Sequence, residues 1–197
     1  MKEIIIIMMT MVLLDNIVLA KALGACPLIK LSASAGRSAA VGLAVTFAMI
    51  GASLLTWPID RYWVSPFDLE YFRIFLFIPL IFLAGYMVTA VLKKAAPSYW
   101  ESMACTGHLI SANCAVAGIA FINIDQGLTY FEAVYSALGA GLGFTGAMVI
   151  FAGMKYKIDN ANNIPEAFRG IPAYIMALAI LSMVFIGVSQ AASAFIS

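Results

Sequence analysis

Six long apolar stretches constrain this chain more than any other feature. A helix that crosses a lipid bilayer needs about 20 predominantly apolar residues. Only 11% of the 197 residues are charged, whereas soluble domains carry about 25%. The sequence therefore predicts an all-α integral membrane protein with six transmembrane helices. The stretches run from Ile4 to Ala20, Ser38 to Trp57, Ile74 to Leu92, Ser102 to Ile124, Ala133 to Met154 and Gly170 to Ser197.

The basic residues predict the orientation of these crossings. The formal net charge is only +1, which gives a nucleic-acid partner no electrostatic support. Lysine and arginine collect in cytoplasmic loops. One side carries three basic residues, Lys2, Arg61 and Arg73, and the other carries seven, Lys30, Arg37, Lys93, Lys94, Lys155, Lys157 and Arg169. We therefore expect a multi-pass membrane protein with both termini outside.

The connections are short, so we expect one membrane domain over residues 1–197. Six crossings divide into two sets of three, in halves of about 1–95 and 96–197. Cys114 lies 88 residues after Cys26, and each cysteine falls near the first crossing of its half. Because three is odd, the halves would run in opposite directions. Inverted repeats of this kind place sites near the membrane midplane, at broken helices. The expected architecture is thus two inverted three-helix repeats, with the first and fourth helices broken near their cysteines.

Cys26 and Cys114 are the main candidates for chemistry. Gly24 and Pro27 flank Cys26, and the polar run 111–113 precedes Cys114. Broken backbone at membrane depth is tolerated only where protein or a cavity satisfies it. Two thiolates could hold half of an iron–sulfur cluster, which normally has four ligands. A partner would then supply the other two. The alternative is that both cysteines are small apolar packing residues.

Other polar residues carry weaker predictions. Lys21 could compensate the charge of a thiolate-bound cluster or extend to the interface. Asp15 suggests an ion path or a cap for a broken helix. His108 and Cys105 are expected to be structural. The GxGxxG pattern at 141–146 lies in an apolar stretch, where close helix packing is a better explanation than a dinucleotide site.

Two cysteine motifs and one loop resemble a known family of membrane subunits. The family is that of RnfA, RnfE, NqrD and NqrE, and the chain is most similar to its A-type members. The resemblance covers nearly the whole chain. It is carried by Asp15-Asn16-Ile17-Val18-Leu19-Ala20-Lys21-Ala22-Leu23-Gly24-Ala25-Cys26-Pro27, Asn113-Cys114-Ala115-Val116-Ala117-Gly118, Phe121-Ile122-Asn123-Ile124 and Phe168-Arg169-Gly170.

The resemblance implies a component of a ferredoxin:NAD⁺ oxidoreductase that translocates Na⁺ or H⁺, with no active site of its own. It implies that Cys26 and Cys114 bind a [2Fe–2S] cluster in the membrane. An RnfE-like paralogue would complete that cluster. RnfB, RnfC, RnfD and RnfG would be further partners in the complex.

Some positions depart from the family pattern and leave alternatives open. Asp15 stands where the family pattern has asparagine, and Gly107-His108 stands where it has Leu-Pro. The family pattern also has a carboxylate near Thr89 that is absent here, which weakens any ion path through an acid in the third crossing. An NqrE-type subunit of a sodium-pumping NADH:quinone oxidoreductase remains possible. So do a metal-free secondary transporter with inverted repeats and a structural anchor.

Overall fold

The computed structural model describes residues 8–14, 16–32, 34–67, 70–95, 113–161, 165 and 168–196. Within these ranges all regular structure is helical. Shorter helical turns cover Thr10–Leu14, Asp60–Val64, Ser65–Phe67 and Glu70–Phe72. The helices are α1 (Ala25–Leu31), α2 (Ala35–Ile59), α3 (Arg73–Ala95), α4 (Cys114–Asp125), α5 (Tyr130–Asp159) and α6 (Ile171–Ile196).

Four described segments are long and apolar enough to cross a membrane. They are Ala35–Val64, Arg73–Val91, Tyr130–Asp159 and Ile171–Ala191. Four of the six predicted crossings are thereby confirmed as apolar helices of spanning length. The first and fourth stretches include residues 4–7 and 102–112, which lie outside the described residues, so their crossings stay predictions.

The centre of the fold is the antiparallel pair α2 and α5. These two helices make the most extensive contact in the described chain. A Cβ at Gly42 would lie 2.7 Å from Thr145 Oγ1, and a Cβ at Gly141 would lie 2.4 Å from Thr46 Cγ2. Gly42 and Gly141 thus allow the two backbones to approach closely. The packing interpretation of the GxGxxG pattern is confirmed at Gly141 and at Gly143, where a Cβ would lie 2.8 Å from Asn16 Nδ2, but a Cβ at Gly146 would meet no atom within 4 Å. Buried residues of this pair include Val45, Ala48, Met49, Ala52, Ala137, Ala140, Phe144 and Met148.

The outer helices α3 and α6 present broad apolar faces. Their exposed side chains include Ile74, Phe75, Ile78, Phe82, Leu83, Ile175, Met176, Ile180, Met183 and Val184. In water such a surface would cause aggregation, whereas in a bilayer it contacts lipid or partner helices. The exposed faces therefore support the assignment as a membrane protein.

Polar and aromatic contacts join neighbouring segments at the C-terminal end of α2. Trp57 Nε1 donates a hydrogen bond of 2.8 Å to the carbonyl oxygen of Leu128. Arg73 and Asp60 form an ion pair at 2.9 Å that joins the end of α2 to the start of α3. Tyr62, Trp63 and Tyr71 are exposed at this end, which is typical of aromatic side chains at a membrane–water interface.

Candidate functional site

The chain leaves its first helical segment at Asn16. The Asn16 side chain is buried, and its Oδ1 accepts hydrogen bonds from the backbone N–H groups of Val18 at 3.1 Å and Leu19 at 3.4 Å. Ala20 N–H also donates to the Asn16 carbonyl at 2.8 Å. A turn therefore replaces the helix that the sequence predicts to continue to Ala20, because Asn16 satisfies the freed donors.

A second feature of this turn is its left-handed backbone. Ala22 and Gly24 have φ values of 54° and 88°. A Cβ at Gly24 would lie 2.7 Å from Phe144 Cε2 and 3.1 Å from the Cβ of Ala115. Glycine is therefore required at position 24 both by conformation and by close packing. Helix α1 begins directly after it, with Cys26 as the second residue.

Cys114 is the first residue of α4. Asn113 caps this helix, because its side-chain oxygen accepts a hydrogen bond of 3.0 Å from Ala115 N–H. Asn113 is buried while Cys114 is exposed. The positive end of the twelve-residue helix dipole therefore lies at the Cys114 thiol, where it favours negative charge.

A hydrogen bond joins the two cysteine segments. The backbone N–H of Gly24 donates to Cys114 Sγ at 3.0 Å across 90 residues of sequence. Cys26 follows two residues after Gly24, and both cysteines are free and exposed. The structure thus brings the backbone two residues before Cys26 into contact with the Cys114 sulfur, although the sequence separates the two cysteines by 88 residues, and it exposes both thiols.

This arrangement fits half of an iron–sulfur ligand set. Thiolate sulfur is the ligand that such clusters use, and an N–H donated to sulfur is a recognised influence on their potential. Within the part of the chain that the structure describes, no group of three or more His, Cys, Asp or Glu side chains could hold a metal ion. The two cysteines of this chain would therefore need two further ligands from elsewhere.

The remaining predicted residues are placed only in part. Lys21 is exposed in the turn before Cys26, and its proposed role in charge compensation stays a prediction. Asp15, Cys105 and His108 lie outside the described residues, so an ion path through Asp15 is untested. Thr89 is buried in α3 and donates a hydrogen bond of 2.8 Å to the carbonyl oxygen of Tyr86.

Comparison with known proteins decides the family. Residues 4–196 match the family described as "Rnf-Nqr subunit, membrane protein". This chain belongs to the Rnf-Nqr family. The resemblance seen in the two cysteine motifs is thereby confirmed over nearly the full length.

Curated relatives in this family cover almost the whole chain. The chain is 35% identical over 189 residues, 96% of this chain and 97% of the relative, to the A-type subunit of an ion-translocating oxidoreductase complex of Aromatoleum aromaticum. It is 36% identical over 187 residues, 95% and 96% of the two chains, to the protein of the same name in an Azoarcus species. It is 33% identical over 185 residues, 94% and 96% of the two chains, to the A-type subunit of the Na⁺-translocating ferredoxin:NAD⁺ oxidoreductase complex of Acetobacterium woodii.

Three contributors to the site are not evident from the sequence pattern. The sequence identifies Gly24 only as a helix breaker, yet its backbone N–H contacts the Cys114 sulfur. Asn113 reads only as part of a polar run, although asparagine directly before an apolar helix is a recognisable capping signal. Asn16 holds the turn through two backbone bonds, a role that the sequence suggests for the neighbouring Asp15.

Proposed function

We propose that this chain is an electron-transfer subunit of a membrane complex that couples ferredoxin:NAD⁺ oxidoreduction to the translocation of Na⁺ or H⁺. In this proposal Cys26 and Cys114 hold one half of a [2Fe–2S] cluster in the membrane, and an RnfE-like paralogue holds the other half. When bound, the cluster would carry one electron at a time. The chain itself has no independent active site.

One observation carries the proposal. The hydrogen bond from Gly24 N–H to Cys114 Sγ at 3.0 Å fixes the two cysteine segments against each other. Packing cysteines would be buried among apolar side chains, whereas both thiols here are exposed. Two exposed thiols on segments that contact each other are suited to a group that a second protein completes.

The chain's own residues have three tasks in this proposal. Asn113 sets the start of α4 and so the position of Cys114. Gly24 allows the close approach of the two segments and directs its N–H at the sulfur. The helix dipole of α4 and the Gly24 N–H both place partial positive charge against the sulfur, which favours an anionic ligand.

We also propose that the fold consists of two inverted three-helix repeats with broken first and fourth helices. Thr145 lies 99 residues after Thr46, and each threonine donates to the carbonyl of the glycine four residues before it, at 2.9 and 2.8 Å. The same glycine–threonine pair thus occurs in α2 and in the antiparallel α5. Equivalent helices that run in opposite directions are what an inverted repeat requires.

The names of the relatives support the proposed membership in an ion-translocating oxidoreductase complex. They describe A-type subunits of ion-translocating oxidoreductase complexes, and one names Na⁺, ferredoxin and NAD⁺. We accordingly expect the chain to assemble with RnfB, RnfC, RnfD and RnfG subunits in a prokaryotic inner membrane. The seven basic residues of one side would face the cytoplasm, with both termini outside.

The activity of cysteine variants tests this function. The variants Cys26→Ala and Cys114→Ala are expected to abolish ferredoxin-dependent NAD⁺ reduction in membranes that hold normal amounts of the complex. Cys105→Ala is the matched control and is expected to retain activity. Full activity in the double variant Cys26→Ala/Cys114→Ala would contradict the electron-transfer role.

The rival functions give different results in a second assay. A metal-free secondary transporter would move a solute in liposomes that contain this chain alone. A subunit of the NqrE type would support NADH:quinone activity in place of ferredoxin:NAD⁺ activity. We expect neither result.

A further inference from the structure

The C-terminal end of α1 is held by a lysine from a distant helix. Lys155 Nζ, on α5, donates a hydrogen bond of 3.0 Å to the carbonyl oxygen of Ile29. The last carbonyl groups of any helix lack partners within that helix. A cation at this end is also favoured by the helix dipole. Lys155 therefore acts as a C-terminal cap for α1 supplied by tertiary structure.

Aromatic and acidic side chains fix Lys155 in place. Its Nζ lies 4.8 Å from the centroid of the Tyr174 ring, on α6. The Tyr174 hydroxyl in turn donates to a carboxylate oxygen of Asp159, one turn after Lys155 on α5. Cation–π contact and hydrogen bonding together restrict the ammonium group. The cluster thus joins α1, α5 and α6.

Helix α1 depends on such contacts for its position. It has seven residues, and isolated helices of this length are unstable. Pro27 and Leu28 are buried, but the helix contacts α2 and α6 at few residues. Gly24 anchors its start, and Lys155 anchors its last turn at Ile29, which lies three residues after Cys26. Movement at Ile29 would therefore move the Cys26 thiol.

We propose that Lys155 is a positioning residue for Cys26. It holds the last turn of α1 through the Ile29 carbonyl and thereby sets the Cys26 sulfur relative to Cys114. The effect of Lys155 on a bound cluster rests on the proposed function, whereas its effect on the position of α1 does not.

Hydrogen exchange of the α1 amides tests the helix directly. The chain is purified in complex with its paralogue. It is prepared as wild type and as the variants Lys155→Met, Lys155→Arg and Lys157→Met. Lys157 is exposed two residues away on the same helix and is the matched control. Loss of a charge-assisted hydrogen bond is expected to accelerate exchange over residues 25–31 about tenfold in Lys155→Met. Lys157→Met should exchange like wild type.

The other variants sharpen the test. Lys155→Arg keeps the charge and donors and is expected to stay within about threefold of wild type. Lys155→Gln, whose side chain is shorter, should behave like Lys155→Met and replaces it if the methionine variant does not assemble. Unchanged exchange in Lys155→Met, or equal acceleration in the arginine variant, would overturn the proposal.

A spectroscopic readout links the helix to the proposed cluster. Lys155→Met is expected to change the electron paramagnetic resonance line shape and lower the iron content of the reduced complex, while Lys157→Met does neither. Wild-type complex without iron would refute the proposed function, and the exchange result would still decide the role of Lys155. Accelerated exchange with an unchanged signal and iron content would refute the link between Lys155 and Cys26.

Discussion

Replacing Gly141 by alanine tests the packing at the centre of the fold. The added Cβ would lie 2.4 Å from Thr46 Cγ2, 2.6 Å from Thr46 Oγ1 and 2.7 Å from Thr46 Cβ. Carbon atoms pack at about 3.5–4.0 Å, so α2 and α5 would have to separate by about 1 Å. Overpacking of this kind costs about 1–3 kcal/mol. Alanine recovers about 1 kcal/mol through its helix propensity, which leaves a net loss of up to about 2 kcal/mol.

Gly153 provides the matched control on the same helix. A Cβ there would meet no atom within 4 Å, so Gly153→Ala is expected to keep the propensity gain and raise stability slightly. The measurement is the thermal unfolding midpoint of the purified chain in detergent, monitored by circular dichroism. Gly141→Ala should unfold at lower temperature than wild type, and Gly153→Ala at the same or a higher temperature.

A compensating change tests the same contact from the opposite helix. Thr46→Ala removes the Cγ2 and Oγ1 atoms that lie closest to the new Cβ but keeps the Thr46 Cβ position at 2.7 Å. The double variant Gly141→Ala/Thr46→Ala should therefore recover part of the stability that Gly141→Ala loses. If Gly141→Ala unfolds like Gly153→Ala, or if Thr46→Ala brings no recovery, the close contact between α2 and α5 is not as described.

Two further substitutions test individual hydrogen bonds by the same unfolding assay. Asn113→Ala should cost about 1 kcal/mol because α4 loses the cap on Ala115 N–H, and an unchanged midpoint would contradict the capping role. Asn123→Leu should cost about 1–3 kcal/mol because a buried amide that donates to Ser53 Oγ and to the Ala133 carbonyl, both at 3.1 Å, is lost. The control for it is Asn160→Leu at an exposed helix end, and equal effects of the two leucine variants would refute the importance of burial.

The helices long enough to cross the membrane could be predicted from the sequence because long apolar stretches are a simple signal. A stretch of about 20 apolar residues has few structures available to it in a bilayer. The predicted stretches at 38–57, 74–92, 133–154 and 170–197 accordingly overlap α2, α3, α5 and α6. Gly141 and Gly143 of α5 could also be assigned to packing, since an apolar helix offers glycine no other common role.

The turn before Cys26 could not be predicted in the same way. Residues 16–20 include Ile17, Val18 and Leu19, which are apolar and buried, so their pattern is that of a continuing helix. The helix ends because Asn16 offers its side-chain oxygen to two backbone donors. Whether asparagine does so depends on the tertiary packing around it, which the local sequence does not contain.

The proposed inverted repeat is also visible only in part from the sequence. The cysteines are offset by 88 residues, whereas the glycine–threonine pairs of α2 and α5 are offset by 99. Helix α4 has twelve residues and α1 has seven, so no single offset aligns the halves. Lys155 shows a similar limit, since its charge predicts a membrane interface but not its bond to Ile29.

Cys26 and Cys114 are central to the proposed function, because they would hold a cluster together with a paralogous protein. The most direct test is electron paramagnetic resonance of the dithionite-reduced complex, purified anaerobically with that paralogue and analysed for iron. We expect a reduced [2Fe–2S] signal that is lost in Cys26→Ala and in Cys114→Ala and retained in Cys105→Ala. Absence of iron from the intact wild-type complex, or a signal that survives in both cysteine variants, would contradict this role.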